Sequence, residues 1–141
     1  EVYDHIIKVS KEFPEVEFVN SEAANAMRKS LKIKYQDPCS FKIQIIKDDT
    51  GSATLSIESS VPTFGPQPFF AIKTKTSDYF HDNLDFQVPN HKWTYTFDAE
   101  TLPLNAVEKI GVASNNSYGT ATVTTMEMES SKITETVHNN N

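Results

Sequence analysis

A single cysteine, Cys39, and a single arginine, Arg28, are the first constraints in this sequence. One thiol cannot form an internal disulfide, so the fold must be held by packing, which a chain of 141 residues is long enough to achieve. With one arginine and a net charge of −6 there is no cation cluster to release counterions from phosphates, which excludes DNA and RNA as partners. The same balance disfavours an anionic membrane surface. No apolar run approaches the roughly 20 residues of a membrane span. The four glycines are scattered, so no glycine-rich phosphate loop is present, and no GxSxG elbow marks a hydrolase nucleophile. No signal peptide is seen, and the chain opens on Glu1 rather than Met. This reads as a processed or excised piece, for which an extracellular or cell-surface location is expected. Asn115-Asn116-Ser117 is one glycosylation sequon, usable on secretion from a eukaryotic cell.

What the sequence does have is period-two alternation. Phe41, Ile43 and Ile45 alternate with polar neighbours. After KDDTGS, Ala53, Leu55 and Ile57 do the same, which predicts a β-hairpin turned at residues 48–52. VPTFGPQP, residues 61–68, carries three prolines and a glycine and predicts a loop or sheet crossover. Further strands are expected at 69–75, 84–88, 92–97, 107–113 and 121–129, with a short one at 133–137 before a polar tail, 138–141. The pair 84–88 and 92–97 reads as a hairpin turned at Pro89-Asn90-His91. Toward the amino terminus, Val2–Val9 and Val16–Val19 look like strands. Residues 21–31 hold the one short helix expected, capped at Asn20 or Ser21. About eight short strands with almost no helix predict a single antiparallel β-sandwich or jelly-roll domain over residues 1–141; a closed barrel is the alternative.

Several motifs carry possible chemistry. Asp49-Thr50-Gly51 matches the aspartic-protease triplet, but that reaction needs two carboxylates sharing a proton, and only one triplet exists. A hairpin turn is the simpler reading. His81, Asp82, Asp85 and His91 match no structural zinc spacing. Asp78, Asp82 and Asp85 are the candidate ligands for calcium, which takes carboxylates from neighbouring loops. Cys39 is expected to be a buried, inert thiol. Nine aromatics crowd between Phe64 and Phe97. Most should be core, but Phe64, Tyr79 and Phe80 fall in segments read as loops, where exposed aromatics dock sugars, peptides or lipid headgroups. The stretch 77–83 is read as such a loop, so Phe64, Tyr79, Phe80, His81 and Asp82 are the candidate ligand-binding residues. His91 and Trp93 are given a supporting role.

From Phe69 to about residue 130 the chain runs through FHDNLDFQVPNHKWTYTFDAETLPLNAVEKIGVASNNSYGTATVTTMEME. With Leu104, Val107, Lys109 and Ile110 before an Asn115-Asn116 turn, this stretch resembles the PLAT (lipoxygenase-homology) sandwich domain. The resemblance implies an eight-stranded sandwich without catalysis that mediates lipid-surface or protein contacts, sometimes with calcium. It makes Asp78, Asp82 and Asp85 candidates for the loop contact. The expected function is therefore a non-enzymatic module that recognises a carbohydrate, a lipid surface or a protein through its loops. A structural assembly protein of the viral-capsid kind stands second and a hydrolase third.

Overall fold

A computed structural model describes residues 1–139, so the last two residues of the polar tail lie outside the described residues. The described chain divides into two compact units, residues 1–32 and 33–139.

The first unit holds two helices, α1 (Val2–Glu12) and α2 (Ala23–Ser30). The second lies within the expected 21–31 segment, with Glu22 rather than Asn20 or Ser21 at its amino-terminal cap. The first corrects the expectation of a strand at 2–9 and of one helix at most. Its β-branched residues suggest a strand, but Val2, Ile6, Val9 and Phe13 recur every three or four positions, which is helical spacing. Glu1 and Asp4 form a capping box over the first turn. Residues 16–19 form no strand.

The second unit is an antiparallel β-sandwich, as the alternation predicts. Among the described residues it has nine strands: β1 (Phe41–Lys47), β2 (Ala53–Ser59), β3 (Phe69–Thr74), β4 (Tyr79–Asp82), β5 (Asp85–Val88), β6 (Lys92–Phe97), β7 (Val107–Asn115), β8 (Ala121–Glu127) and β9 (Ile133–His138). One sheet has the order β1-β2-β6-β5 and the other β4-β3-β7-β8-β9. Taken in chain order, this is the immunoglobulin-type arrangement, A-B-E-D against C′-C-F-G, with β9 added as an outer strand. The chain changes sheets through the proline-rich loop, through Asn83-Leu84 between β4 and β5, and through residues 98–106.

Each sheet turns alternate residues inward. Phe41, Ile43, Leu55, Ile57, Trp93 and Phe97 meet Phe70, Ile72, Val107, Ile110 and Val112 in one core. Strand β8 is the exception to apolar filling. Its register places Met126 opposite Ile110 and Thr124 opposite Val112, so Thr122 and Thr124 point inward while Ala121 and Val123 face outward. Both threonines are fully buried, and neither Oγ1 has a hydrogen-bond partner among the described residues. A buried hydroxyl without a partner costs about 1–3 kcal/mol of desolvation. Replacing Thr122 or Thr124 with valine keeps the shape and removes that cost. Each substitution should raise stability by about 1 kcal/mol in urea unfolding; a loss of stability in both variants would show that the hydroxyls are satisfied.

Candidate functional site

A set of hydrogen bonds fixes the loop 61–68. Trp93, fully buried at 0% exposure, donates its indole N–H to the Pro66 carbonyl at 3.0 Å. Asn90 adopts the left-handed conformation (φ 66°), and its Nδ2 donates to the carbonyls of Thr63 at 3.2 Å and Gly65 at 3.0 Å. The backbone N–H of Thr63 donates to the Asn90 carbonyl, and that of Asn90 to the Pro66 carbonyl. Trp93 is therefore a core residue that holds the loop, not a contact residue. Phe64 is carried on this rigid loop at 70% exposure, with its N–H bonded to the Asn115 carbonyl.

The stretch 77–83 is not a loop, which corrects the sequence reading. The turn 75–78 and Asn83 are irregular, but Tyr79–Asp82 form the edge strand β4, paired with β3 through Ile72↔Phe80 and Lys73↔Tyr79. Four residues alternating Tyr, Phe, His, Asp are too short and too polar to register as a strand by period. Pairing with β3 decides the matter. It also separates the five candidates. Tyr79 and His81 project from the outer face of the β3–β4–β7–β8 sheet, whereas Phe80 and Asp82 turn toward the other sheet. Asp82 Oδ2 accepts a hydrogen bond from the Tyr95 hydroxyl at 3.2 Å, and Oδ1 accepts one from the Asn83 N–H. Asp82 thus links the edge of one sheet to β6 of the other.

The calcium candidates are not gathered. Asp78 lies in the β3–β4 turn and accepts from Thr76 Oγ1; Asp82 lies at the far end of β4, and Asp85 lies in the opposite sheet. Four residues of strand separate Asp78 from Asp82 by about 13 Å, while calcium holds its oxygens at roughly 2.3–2.6 Å. Among the described residues no group of three or more His, Cys, Asp or Glu side chains is placed to hold a metal ion. His81 on β4 and His91 in the β5–β6 turn belong to different sheets. Asp49-Thr50-Gly51 forms the tip of the β1–β2 hairpin. Asp48 organises it, accepting from Thr50 N, Thr50 Oγ1 and Ser52 N at 2.6–2.9 Å. The Thr50 hydroxyl, together with these backbone N–H groups, holds the Asp48 carboxyl below its ordinary range. Burial pushes the Cys39 thiol up, in keeping with an inert buried group.

What the structure does assemble is an outer face. On the β4-β3-β7-β8 surface, Ala71, Gly111, Ala113, Ala121, Val123 and Thr125 form a half-buried floor of small side chains. Along its β4 border stand Phe69 at 60% exposure, Tyr79 at 73% and His81. The Phe69 and His81 rings are nearly parallel, 18° apart with centroids at 6.1 Å. The Lys73 ammonium lies 6.0 Å from the centre of the Tyr79 ring and pairs with Glu108 at 2.8 Å. Beside Tyr79 the surface dips into a depression of about 600 Å³ over Ala71, Gly111 and Thr125. On the outer face of the opposite sheet Lys42, Gln44, Thr54, Ser56, Thr94 and Thr96 are polar, with Ile46 exposed among them. Phe69 and the small-residue floor were missed by the sequence reading. Faces can be assigned only once the register is known.

Comparison with protein-family models, curated proteins and solved structures returns no match. No described helix is long and apolar enough to cross a membrane.

Two outcomes test this description. Replacing Asn90 with alanine removes two side-chain hydrogen bonds and puts a Cβ-bearing residue without a polar side chain in a left-handed position. It should cost about 2–4 kcal/mol in urea unfolding, with glycine at the same position costing less; an unchanged midpoint for alanine would refute the lock. Burial and then the Asp82 carboxylate push the Tyr95 phenol up to about 12 from 10.0. Its stabilising share is therefore complete below pH 10.0 and lost as pH rises through about 12. The Tyr95→Phe variant should lack a phenolate absorbance component near pH 12 that the parent shows. In Asp82→Asn the raised phenol should titrate lower, toward 10.0, and an unchanged alkaline titration would refute the Asp82–Tyr95 link.

Proposed function

We propose that this chain is a non-enzymatic binding module that recognises carbohydrate on the outer face of the β4-β3-β7-β8 sheet. One observation carries the reading: an exposed aromatic border, Phe69, His81 and Tyr79, stands beside a shallow depression floored by small residues and edged by Lys73 and Glu108. Sugars present flat C–H faces and a ring of hydroxyls. The aromatic faces take the former, and the ammonium, the carboxylate and the Thr125 hydroxyl can hydrogen-bond to the latter. Rigid strands rather than mobile loops carry these groups, so little ordering entropy is lost on binding.

A second reading rests on β4 itself. Among the described residues it pairs only with β3, which leaves one row of its backbone donors and acceptors open on a strand that carries exposed Phe80. That edge suits a protein segment added as an extra strand.

Calorimetric titration with soluble hexasaccharides of glucose, xylose, mannose and N-acetylglucosamine separates these readings. At least one sugar should bind saturably, and Tyr79→Ala should weaken it by about tenfold or more, or 1.4 kcal/mol. The unfolding midpoint should stay put, because Tyr79 is exposed. No binding of any sugar up to about 1 mM, or equal binding by the variant, would sink the carbohydrate reading and leave the strand-addition reading.

A further inference from the structure

Among the described residues the two sheets end in four edge strands, β1 and β5 on one sheet and β4 and β9 on the other. An open strand edge is a template for another chain, and proteins blunt it with lysine, with bulges or by keeping it short. Three of these edges are blunted. β1 carries Lys42 and Lys47, β5 is broken by a bulge between Phe86 and Val88, and β4 has only four residues. β9 has six residues without lysine or proline, and its register with β8 runs unbroken from Ile133 to His138. Both of its faces are exposed, with Ile133 at 48% and Val137 at 39%. It pairs only with β8 among the described residues, so a second row of backbone donors and acceptors is open.

The pairing fixes the chemistry of that edge. Met126, Thr124 and Thr122 of β8 point inward, and their partners Ile133, Glu135 and Val137 share their face. The row therefore reads apolar, carboxylate, apolar. The Ser40 hydroxyl donates to Glu135 Oε2 at 2.9 Å, which leaves Oε1 for another donor. Glu135 opposes pairing with a second copy of this chain. In a two-fold antiparallel pair, opposed residues lie on one face, so inner row meets inner row. In any register that overlaps most of the strand, Glu135 then meets Glu135 or Val137 of the other copy. The first sets like charges together and the second presses a carboxylate on an apolar side chain. A strand with a cation between two apolar residues meets neither cost. From this we infer that the β9 edge takes an extended segment of another protein as a further antiparallel strand. That segment carries lysine or arginine opposite Glu135, flanked at two-residue spacing by apolar residues opposite Ile133 and Val137. Main-chain bonds supply the affinity and the charge pair the selectivity. β9 borders the sheet on the side away from β4, so the inference is independent of the carbohydrate reading and of strand addition at β4.

Two capped hexapeptides test the inference on the isotope-labelled intact chain at low salt, read by backbone amide shifts. One has the sequence of residues 133–138, and the other has that sequence with the change Glu135→Lys. The lysine peptide should bind saturably with a dissociation constant of about 1 mM or tighter and with its shifts centred on β9. The glutamate peptide should bind at least about fivefold more weakly. In the protein, Glu135→Gln can still accept from Ser40 and should weaken the lysine peptide about threefold. Glu135→Lys should weaken it further and reverse the preference between the two peptides. Glu100→Lys, the same charge change in the 98–106 connection, should leave the preference as it was. Circular dichroism checks each fold; if Glu135→Lys fails to fold, Glu135→Gln decides. No saturation up to about 5 mM, shifts centred on β4, equal binding of the two peptides, or an unchanged affinity in Glu135→Gln would overturn the inference.

Discussion

The bond from the Trp93 indole to the Pro66 carbonyl ties the proline-rich crossover to the largest fully buried side chain of the sandwich. The loop from residue 60 to 68 has to cross from β2 in one sheet to β3 in the other, with three of its residues unable to donate a backbone hydrogen bond. Left alone, such a crossover would leave carbonyls unpaired at the end of the core. Trp93 and Asn90 take up those carbonyls from the β5–β6 hairpin, and the Asn115 carbonyl takes up the Phe64 N–H from β7. The start of β3 is thereby set against both sheets. The register of β3 with β7 on one side and β4 on the other follows, and with it every side-chain direction on the outer face.

That dependence explains why one face differs from the other. Once Phe70 and Ile72 point inward, Phe69, Ala71 and Lys73 must point outward, because strand side chains alternate. The same parity places Gly111 and Ala113 on β7, and Ala121, Val123 and Thr125 on β8, in one outward patch. The face carries charge as well, Lys73, Lys109 and Glu127, in the row next to Ala71, Gly111 and Thr125. Keeping small side chains outward, and two partnerless hydroxyls inward, opposes ordinary burial economy on both sides of β8. A surface role for the outward set is a physical reason for such an arrangement.

The sandwich was legible because alternation is a local signal. Phe41-Ile43-Ile45 and Ala53-Leu55-Ile57 state their own period, and turn chemistry at 48–52 and 89–91 places the hairpins. Strand β4 was not legible, because Tyr79-Phe80-His81-Asp82 has no apolar alternation and becomes a strand only through β3. Helix α1 was misread because Val and Ile are common strand residues, and the helical spacing of Val2, Ile6, Val9 and Phe13 is the stronger evidence. Phe64, Tyr79 and Phe80 are exposed as expected, but parity sends Tyr79 and His81 to one side and Phe80 and Asp82 to the other. Asp78, Asp82 and Asp85 are close in sequence and far apart in the fold.

The histidine-aspartate cluster seen in sequence is thus an effect of reading along a chain that changes sheets within it. Asn83-Leu84 carries the backbone from the edge of one sheet to the edge of the other, so neighbours on either side of it face different environments. Asp82 ends at the crossing, where its carboxylate reaches Tyr95 in the facing sheet. A carboxylate engaged in this way closes the sandwich at an edge where no strand can pair across. Its neighbours Tyr79 and His81, on the same short strand, need close nothing and remain outward. Four residues therefore divide by parity between holding the two sheets together and presenting a surface, which is why a search for one shared role among them finds none.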